Sequence, residues 1–195
     1  MKVELIQGTK DATKLLADIA SICYGHEEAK NPAVLIRNLD ILGHHSVFEH
    51  AFYTFKIEGI SRACLAQLTR HRHASYTVRS QRYCDEGDTK EIKPDAIKED
   101  EEFNMLWDEN MHYTYSSYNR LIELGVKRED ARAILPQASS TDLYMTLNLR
   151  ELIHIAELRM SSSAQQEIRE LVREMVRQVM KNDELLTNIF YKEVV

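Results

Sequence analysis

The hydrophobic positions of the first fifty residues predict a short strand followed by two helices. The strand covers Val3 to Ile6, and apolar residues three or four apart then predict a helix that Asp11 caps. Asn31 before Pro32 is typical of a capped helix start, and Gly43 is placed to end that second helix. Because the first helix carries a clean apolar stripe, we assign it to packing.

The next stretch predicts a strand that leads into a basic segment. Phe48 to Ile57 is rich in aromatic residues and threonine, which favours a strand. Gly59 is expected to break this strand, and Ser61 to cap a helix that runs toward Arg70. We expect an irregular backbone after that helix, where side chains and N–H groups can both face a ligand. Asp85 to Pro94 is predicted as a polar loop, too short for a linker.

The second half of the chain is predicted to be mainly helical. Asp95 to Gly125 predicts one long helix, Lys127 to Leu135 a short helix that Pro136 stops, and Ser139 to Leu147 a strand. Large apolar residues recur along the long helix, which favours a core-facing stripe over a cofactor shelf. The stripe consists of Phe103, Trp107, Met111, Tyr115, Tyr118 and Ile122.

Asn148 to Met160 predicts a helix with polar groups along both edges of a buried stripe. At about 100° per residue, Asn148 and Arg159 share one edge, and Arg150 and His154 share the other. An ordinary amphipathic helix explains this pattern as well as a binding site does.

These elements together predict an α+β fold. An antiparallel-type mixed sheet packs with several helices, including the long central helix and C-terminal helices. The C-terminal helices, from Ser163 to Met180 and around Leu185 to Phe190, have clean apolar stripes that suit packing or a subunit interface. With no repeat and no linker visible, residues 1–195 are predicted to form a single domain.

Composition places the chain among ordinary globular proteins. Its 195 residues, 44% of them hydrophobic and 29% charged, suit one sizeable core. The formal net charge of −6 argues against a general nucleic-acid binder. No leader pattern and no membrane-length apolar run are visible, so we expect a cytoplasmic protein whose three cysteines stay reduced.

The window from Gly59 to Cys84 is strongly basic, unlike the rest of the chain. It contains no lysine, no acidic residue and five arginines, namely Arg62, Arg70, Arg72, Arg79 and Arg82. Forked guanidinium groups suit phosphates, carboxylates and flat rings, so the window favours a nucleotide or phosphate site. The alternative is a helix end whose cations complement the dipole and whose acidic partners come from elsewhere in the fold.

A second polar cluster lies at a predicted helix-to-strand junction. Its members, His44, His45, Glu49 and His50, match neither the His-Glu-x-x-His zinc spacing nor its inverted form, so we expect no metal. We interpret the cluster as polar groups available to a ligand. No Gly-x-Gly-x-x-Gly motif and no phosphate-binding Gly-Lys-Ser/Thr loop occur, so any nucleotide cofactor is held in another way.

Several stretches of the chain resemble one enzyme family. Arg70-His71-Arg72, followed after seven residues by Ser80, is similar to the signature of flavin-dependent thymidylate synthases. Other blocks in the family's order extend the resemblance over most of the chain. They are Gly43 to His50, Leu135-Pro136 after Arg132, and Asn148 to Arg159.

The resemblance implies an activity and its cofactors. The reaction would be reductive methylation of deoxyuridine monophosphate (dUMP) to thymidylate (dTMP), with FAD as hydride carrier, methylenetetrahydrofolate as carbon donor and NADPH as reductant. The resemblance further implies a homotetramer with sites between subunits, and no nucleic-acid or membrane partner. No cysteine matches a required nucleophile. This agrees with the resemblance, since in this family the cofactor carries the chemistry while the protein binds, orients and polarises.

The resemblance also implies two sets of site residues. Those implied at the flavin are Ser46, Arg70, His71, Arg72, Asn148, Leu149, Arg150 and His154, with His44 nearby. Those implied around dUMP are Gln67, Arg70, Val78, Arg79, Ser80, Gln81, Arg82, Arg132 and Arg159. Arg159 is implied as the catalytic residue, since a fixed cation stabilises a uracil ring as it ionises at N3.

Two positions depart from the family pattern. Val78 stands where the family usually has Glu or Gln, which leaves backbone contacts at that position. His154 stands where relatives have Asn, and it can still donate or accept a hydrogen bond.

Two other functions stay open from the residues alone. An RNA or nucleotide module would use the arginine window with Tyr76 and Tyr83 as stacking platforms, and its binding would weaken steeply with salt. A hydrolase or metal enzyme built on the histidine cluster would contain a stoichiometric ion.

Overall fold

The chain is organised around a four-stranded sheet. A computed structural model describes residues 1–194, with side chains described through Phe190. The strands are β1 (Lys2–Gly8), β2 (Phe52–Ser61), β3 (Ala74–Val78) and β4 (Ser140–Asn148), in the order β1-β2-β4-β3. The sheet is antiparallel and packs with helices, which confirms the predicted α+β class.

Helices account for most of the remaining described residues. They are α1 (Ala12–Ser21), α2 (Pro32–Ile41), α3 (Arg62–Leu68), α4 (Asp95–Lys98), α5 (Glu101–Glu123), α6 (Arg128–Ala131), α7 (Leu149–Arg159), α8 (Gln166–Asn182) and α9 (Thr187–Val194). Short 3₁₀ turns cover Ile22–Tyr24, His45–His50, Arg132–Ile134 and Glu184–Leu186. Within residues 1–194 no helix is both long enough and apolar enough to cross a membrane.

The chain divides into two compact units. Unit 1 contains Met1–Ile57, Thr69–Tyr76 and the chain from Tyr144 onward, and unit 2 contains Glu58–Leu68 and Thr77–Leu143. In unit 1, α8 packs against β1 and α7, and its apolar stripe is fully buried. Of the two roles predicted for the C-terminal helices, packing or a subunit interface, α8 therefore has the packing role. The prediction that residues 1–195 form a single domain stays a prediction.

The predicted helix caps have different outcomes. Asn31 caps α2, because its Oδ1 accepts the Val34 N–H at 3.3 Å. Asp11 does not cap α1: its backbone is left-handed, with φ of 46°, and its side chain makes no cap hydrogen bond. Asp183 takes that role instead, since its Oδ2 accepts the Thr13 N–H at 2.8 Å. Asp183 is 170 residues away in sequence, so local spacing could not reveal this cap.

The strand expected around Phe48 to Ile57 is shifted along the chain. It begins at Phe52, because His45–His50 forms a 3₁₀ turn, and it continues through Gly59 to Ser61. Gly59 does not break the strand: glycine tolerates the positive φ of 72° there, and its N–H donates to Asp142 Oδ1 at 2.9 Å. Ser61 caps α3 as predicted, its hydroxyl accepting the Cys64 N–H at 3.0 Å.

The basic segment is more regular than predicted. After α3 ends at Leu68, a short turn leads into β3 rather than into a fully irregular stretch. Tyr76, Thr77 and Val78 are residue types that favour strands, and this was the missed signal. The strand matters because it connects the start of the Arg70-to-Tyr83 segment with its end.

The long helix predicted from Asp95 to Gly125 is two helices, α4 and α5. Asp100 separates them, because it is extended and its Oδ1 accepts the Phe103 N–H at 3.0 Å, capping α5. The aromatic stripe on α5 is only partly core, contrary to prediction. Tyr118 is fully buried, whereas Phe103 is 55% exposed. The N-terminal part of this face is therefore not covered by the described chain.

Candidate functional site

The start of α7 in unit 1 carries three of the residues implied at the flavin. Asn148 caps the helix, since its Oδ1 accepts the Glu151 N–H at 2.9 Å, and this leaves its side-chain NH₂ as a donor. Leu149 is fully buried, and its N–H donates to the Ala51 carbonyl at 2.8 Å. Its side chain packs in the core, so a flavin contact at Leu149 stays a prediction. Arg150 is exposed and pairs with Glu49.

A cavity of about 470 Å³ lies beside α7. It is lined by His45, Glu49, His73, Asn148, Arg150, Glu151, Ile153, His154 and Glu157. The structure thus brings together Asn148, Arg150 and His154, which were implied at the flavin. His73 was not assigned to any site, although its position directly after Arg70-His71-Arg72 was a usable signal.

His71 is buried in a cluster of charged side chains within unit 1. Only 5% of it is exposed, and its Nε2 accepts from Arg159 Nε at 3.0 Å. Its Nδ1 lies 3.7 Å from Oε1 of the buried Glu151. A guanidinium can only donate, so the neutral ring carries its proton on Nδ1, facing the Glu151 carboxylate. The His71 carbonyl also accepts from the Tyr76 hydroxyl at 2.8 Å.

The surroundings of His71 favour its neutral form. Burial, and then the charges of Arg159, His154 and Arg70, lower its pKa from 6.5 to about 4. Burial and then the Glu151 carboxylate raise the pKa of the Tyr76 hydroxyl, which stays protonated and able to donate. His71 Nε2 therefore remains a hydrogen-bond acceptor at neutral pH.

The exposed signature arginines fit the diphosphate of a bound FAD. Arg70 and Arg72 are both exposed, and among the side chains of residues 1–190 neither forms an ion pair. Unneutralised guanidiniums are well suited to diphosphate oxygens. Ser46 is exposed in the 3₁₀ turn, and the His154 ring meets the His71 ring edge-to-face at 6.1 Å. The residues present in unit 1 therefore fit this cofactor.

Most residues implied around dUMP lie in unit 2, and four of them, Arg79 to Arg82, directly follow the last residue of β3, Val78. The Ser80 carbonyl accepts the N–H groups of Tyr83 and Cys84 at 3.2 and 2.9 Å. The Ser80 hydroxyl accepts the Arg82 N–H at 3.3 Å. These bonds fold Ser80 to Cys84 into a tight turn that includes the half-buried Gln81.

Arg82 in this turn and Arg79 just before it both have acidic partners. Arg79 Nε donates to Oε1 of the fully buried Glu86 at 3.2 Å, and this bond is the main reason that the pKa of Arg79 is raised. Arg82 donates from Nε and Nη2 to Glu129 Oε2 at 2.9 and 2.8 Å. Both acids lie outside the basic window. The alternative that its acidic partners come from elsewhere in the fold is therefore correct for Arg79 and Arg82.

Three further side chains belong to unit 2, namely Arg132, Gln67 and Arg62. Arg132 is exposed, and its Nε donates to the Glu129 carbonyl at 3.1 Å. Gln67 lies on α3, half-buried. Arg62, which was not assigned to the site, donates from Nη2 to the Arg79 carbonyl at 3.1 Å. Its place in the arginine window was the only sequence signal for it.

The described side chains do not form a metal centre. Within the part of the chain that the structure describes, no group of three or more His, Cys, Asp or Glu residues is arranged to hold a metal ion. His45 instead contacts Asp40, with Nε2 at 3.4 Å from Oδ1, and stacks on Phe48.

Comparison with known proteins identifies the family. A family model described as thymidylate synthase complementing protein matches residues 4–183. The flavin-dependent thymidylate synthase of Pyrococcus furiosus is 41% identical, over 95% of this chain and 81% of the relative. The enzyme of the same name from Geobacter sulfurreducens is also 41% identical, over 92% and 82%. A more distant one from Haloarcula marismortui is 32% identical, over 90% and 89%. As the signature around Arg70 and Ser80 predicted, this chain belongs to the flavin-dependent thymidylate synthase family.

Proposed function

We propose that this protein converts dUMP to dTMP by reductive methylation, with FAD as hydride carrier, methylenetetrahydrofolate as carbon donor and NADPH as reductant. The observation that carries the proposal is the family match over residues 4–183, which contains every residue of both implied sets. On this basis the chain is an enzyme, an FAD-dependent thymidylate synthase. A cytoplasmic location, in keeping with nucleotide biosynthesis, stays a prediction.

Unit 1 supplies the residues that we assign to FAD. Arg70 and Arg72 offer forked donors for the diphosphate. The cavity beside α7 offers Asn148, Arg150 and His154 as hydrogen-bonding groups for the cofactor. When bound and reduced, the flavin supplies a hydride, and the part of these side chains is to bind and orient it.

Unit 2 supplies the residues that we assign to the dUMP phosphate. Ser80 offers a hydroxyl on this tight turn, and Arg82 offers a guanidinium that also pairs with Glu129. Arg79 has a different role in this proposal. Its N–H, carbonyl and guanidinium are all bonded within unit 2, to Asp142, Arg62 and Glu86 respectively. We therefore assign Arg79 to shaping the turn.

Arg159 is the residue that we assign to catalysis. Its bond to His71 fixes the Nε end of the guanidinium before any ligand arrives. A preorganised cation stabilises charge that develops in the transition state without the cost of reorienting at that moment. In the proposed reaction that charge develops on the uracil ring at N3.

Replacing Ser80 by alanine is expected to weaken dUMP binding about 10-fold or more, because one hydrogen bond to a charged phosphate is lost. Turnover at saturating dUMP should change little, since the hydroxyl is not needed as a nucleophile. Isothermal titration of the flavin-loaded protein with dUMP measures the affinity. Ser116→Ala, at an exposed serine on α5 of the same unit, is the matched control. An inactive Ser80→Ala variant with normal dUMP affinity would contradict the assignment.

The homotetramer implied by the family is also part of the proposal. Exposed apolar residues on α5 support it, namely Phe103, Met105, Leu106 and Tyr113. Surfaces of this kind mark protein contacts. Light scattering on a sizing column should give four times the mass of the chain, and Leu106→Glu should lower it. A wild-type protein that stays monomeric at assay concentrations would remove the tetramer from the account.

The experiment that tests the proposed sites is a visible absorption spectrum of the purified protein with added FAD, followed by titration with dUMP. An oxidised-flavin spectrum that dUMP perturbs supports the assignment of both ligands. A protein that takes up no FAD and ignores dUMP would reduce the arginine window to a plain phosphate binder.

A further inference from the structure

Glu151 is a buried carboxylate that the proposed function does not use. It lies in the first turn of α7, with only 8% of its side chain exposed. Buried acids are costly unless other groups compensate for them. It lies near the Tyr76 hydroxyl and beside His71, whose Nδ1 is 3.7 Å from Glu151 Oε1. This distance is too long for an ordinary N–H···O bond, which spans about 2.7–3.2 Å.

The contact therefore acts as a field on the imidazole rather than as a strong bond. A carboxylate beside Nδ1 favours the tautomer in which Nδ1 carries the proton. In that tautomer Nε2 has a lone pair, and this lone pair accepts from Arg159 Nε at 3.0 Å. The other tautomer would place an N–H against a guanidinium donor, so it would break the bond that holds Arg159.

We infer that Glu151, acting through the tautomer of His71, positions the Arg159 guanidinium for the reaction. Glu151 and His71 are positioning residues in this arrangement, and Arg159 is the catalytic residue that they hold. The inference rests on the proposed function of Arg159. It adds that the Glu151 carboxylate determines the tautomer of His71, and that this tautomer orients Arg159.

The backbone around the cluster supports a fixed geometry. The Asn148 Oδ1 accepts the Glu151 N–H at 2.9 Å, and this bond fixes the backbone at Glu151. The Tyr76 hydroxyl donates to the His71 carbonyl at 2.8 Å, which anchors the imidazole end. All of these residues belong to unit 1.

A double-mutant cycle tests the inference by kinetics. Glu151→Gln keeps the shape of the side chain and removes its charge, and it should lower kcat about 10-fold, the low end of what losing an orienting partner costs. In an Arg159→Ala background the same change should lower kcat less than about 2-fold, because the residue being positioned is absent. A full 10-fold loss in both backgrounds would overturn the inference. Glu170→Gln, at an exposed acid on α8, is the matched control.

Nitrogen-15 NMR of labelled histidine and arginine tests the same arrangement without turnover. Wild-type His71 should show a protonated Nδ1 and a bare Nε2, and the Arg159 Nε–H should exchange slowly with solvent. Glu151→Gln should give a mixture of tautomers and faster exchange at Arg159. If that variant does not fold, Glu151→Asp should show the same change in weaker form.

The two readouts separate this inference from the function on which it rests. A wild-type protein that forms no dTMP would refute the proposed function, and the NMR result would still decide whether Glu151 positions Arg159. A wild-type His71 protonated at Nε2, or a tautomer that neither Glu151 variant alters, would overturn the inference.

Discussion

Turnover is expected to fall about 10²-fold or more when Arg159 is replaced by alanine, while FAD still binds. The magnitude follows from removing one preorganised donor from a developing charge. Arg159 reaches this role already oriented, because its Nε donates to His71 Nε2. Steady-state kinetics at saturating dUMP measure the loss, and the flavin absorbance of the same sample checks that the cofactor site is intact.

Arg37→Ala is the matched control, since Arg37 is an exposed arginine on α2 in the same unit. It should leave turnover within about 2-fold, as surface substitutions away from special features usually do. Arg159→Lys should recover only part of the activity, because an ammonium lacks the planar fork. An Arg159→Ala variant with wild-type turnover would remove this residue from the mechanism.

The second large effect is a loss of stability in mild acid that depends on His71. Its pKa is lowered to about 4 in the folded protein, by burial first and then by Arg159, His154 and Arg70, from 6.5 in the unfolded chain. Between these values the unfolded chain binds a proton that the folded chain does not. The free energy of unfolding should therefore fall as the pH drops from 6.5 to about 4, by roughly 3 kcal/mol from this group.

Urea unfolding at a series of pH values measures the slope. His71→Gln should flatten it in this window, whereas His26→Gln, at an exposed histidine, should leave it unchanged. Carboxylates titrate in all three proteins, so the comparison isolates the contribution of His71. Equal slopes in wild type and His71→Gln would show that His71 is not held neutral in the folded protein.

Local signals in the sequence were enough to predict most of the elements. The apolar stripe of α8 and the Asn31 cap of α2 are both visible as residues spaced three or four apart in the sequence, and the structure contains both. The cap of α1 depends on Asp183, which meets Thr13 only in the folded chain. The break at Asp100 was missed because helical periodicity is present both before and after it. Asp100 is a favourable N-cap residue, and this was the signal that the long helix is divided there.

The exposure of the α5 stripe shows a limit of periodicity. An apolar stripe predicts which face of a helix avoids water, but it does not tell what covers that face. Tyr118 meets the core of the same chain, whereas Phe103 does not. The proposal of a tetramer gives that face a partner.

The candidate site was predicted by resemblance more than by spacing. The arginine window indicated anion binding and left open that its acidic partners lie elsewhere, but nothing in the sequence singled out Glu86 and Glu129 as those partners. Glu151 was missed because it looks like an ordinary acid in the first turn of a helix. Only the fold shows that it faces His71.

The two tyrosines that the RNA alternative would use for stacking differ in their exposure. Tyr83 is 76% exposed, and the Arg82 guanidinium lies 5.8 Å from the centre of its ring. Tyr76 is half-buried, and its hydroxyl is bonded to the His71 carbonyl. Tyr83 therefore offers an open ring face, whereas much of Tyr76 is covered within unit 1.

The most direct test of the account is dTMP formation by the purified protein, followed by mass spectrometry. The reaction contains dUMP, FAD, NADPH and methylenetetrahydrofolate labelled with ¹³C at the transferred carbon. Labelled dTMP is expected with the complete mixture, and none when the folate is omitted or when the flavin has been removed from the protein. Unlabelled or absent dTMP from a protein with bound flavin would contradict the proposed function.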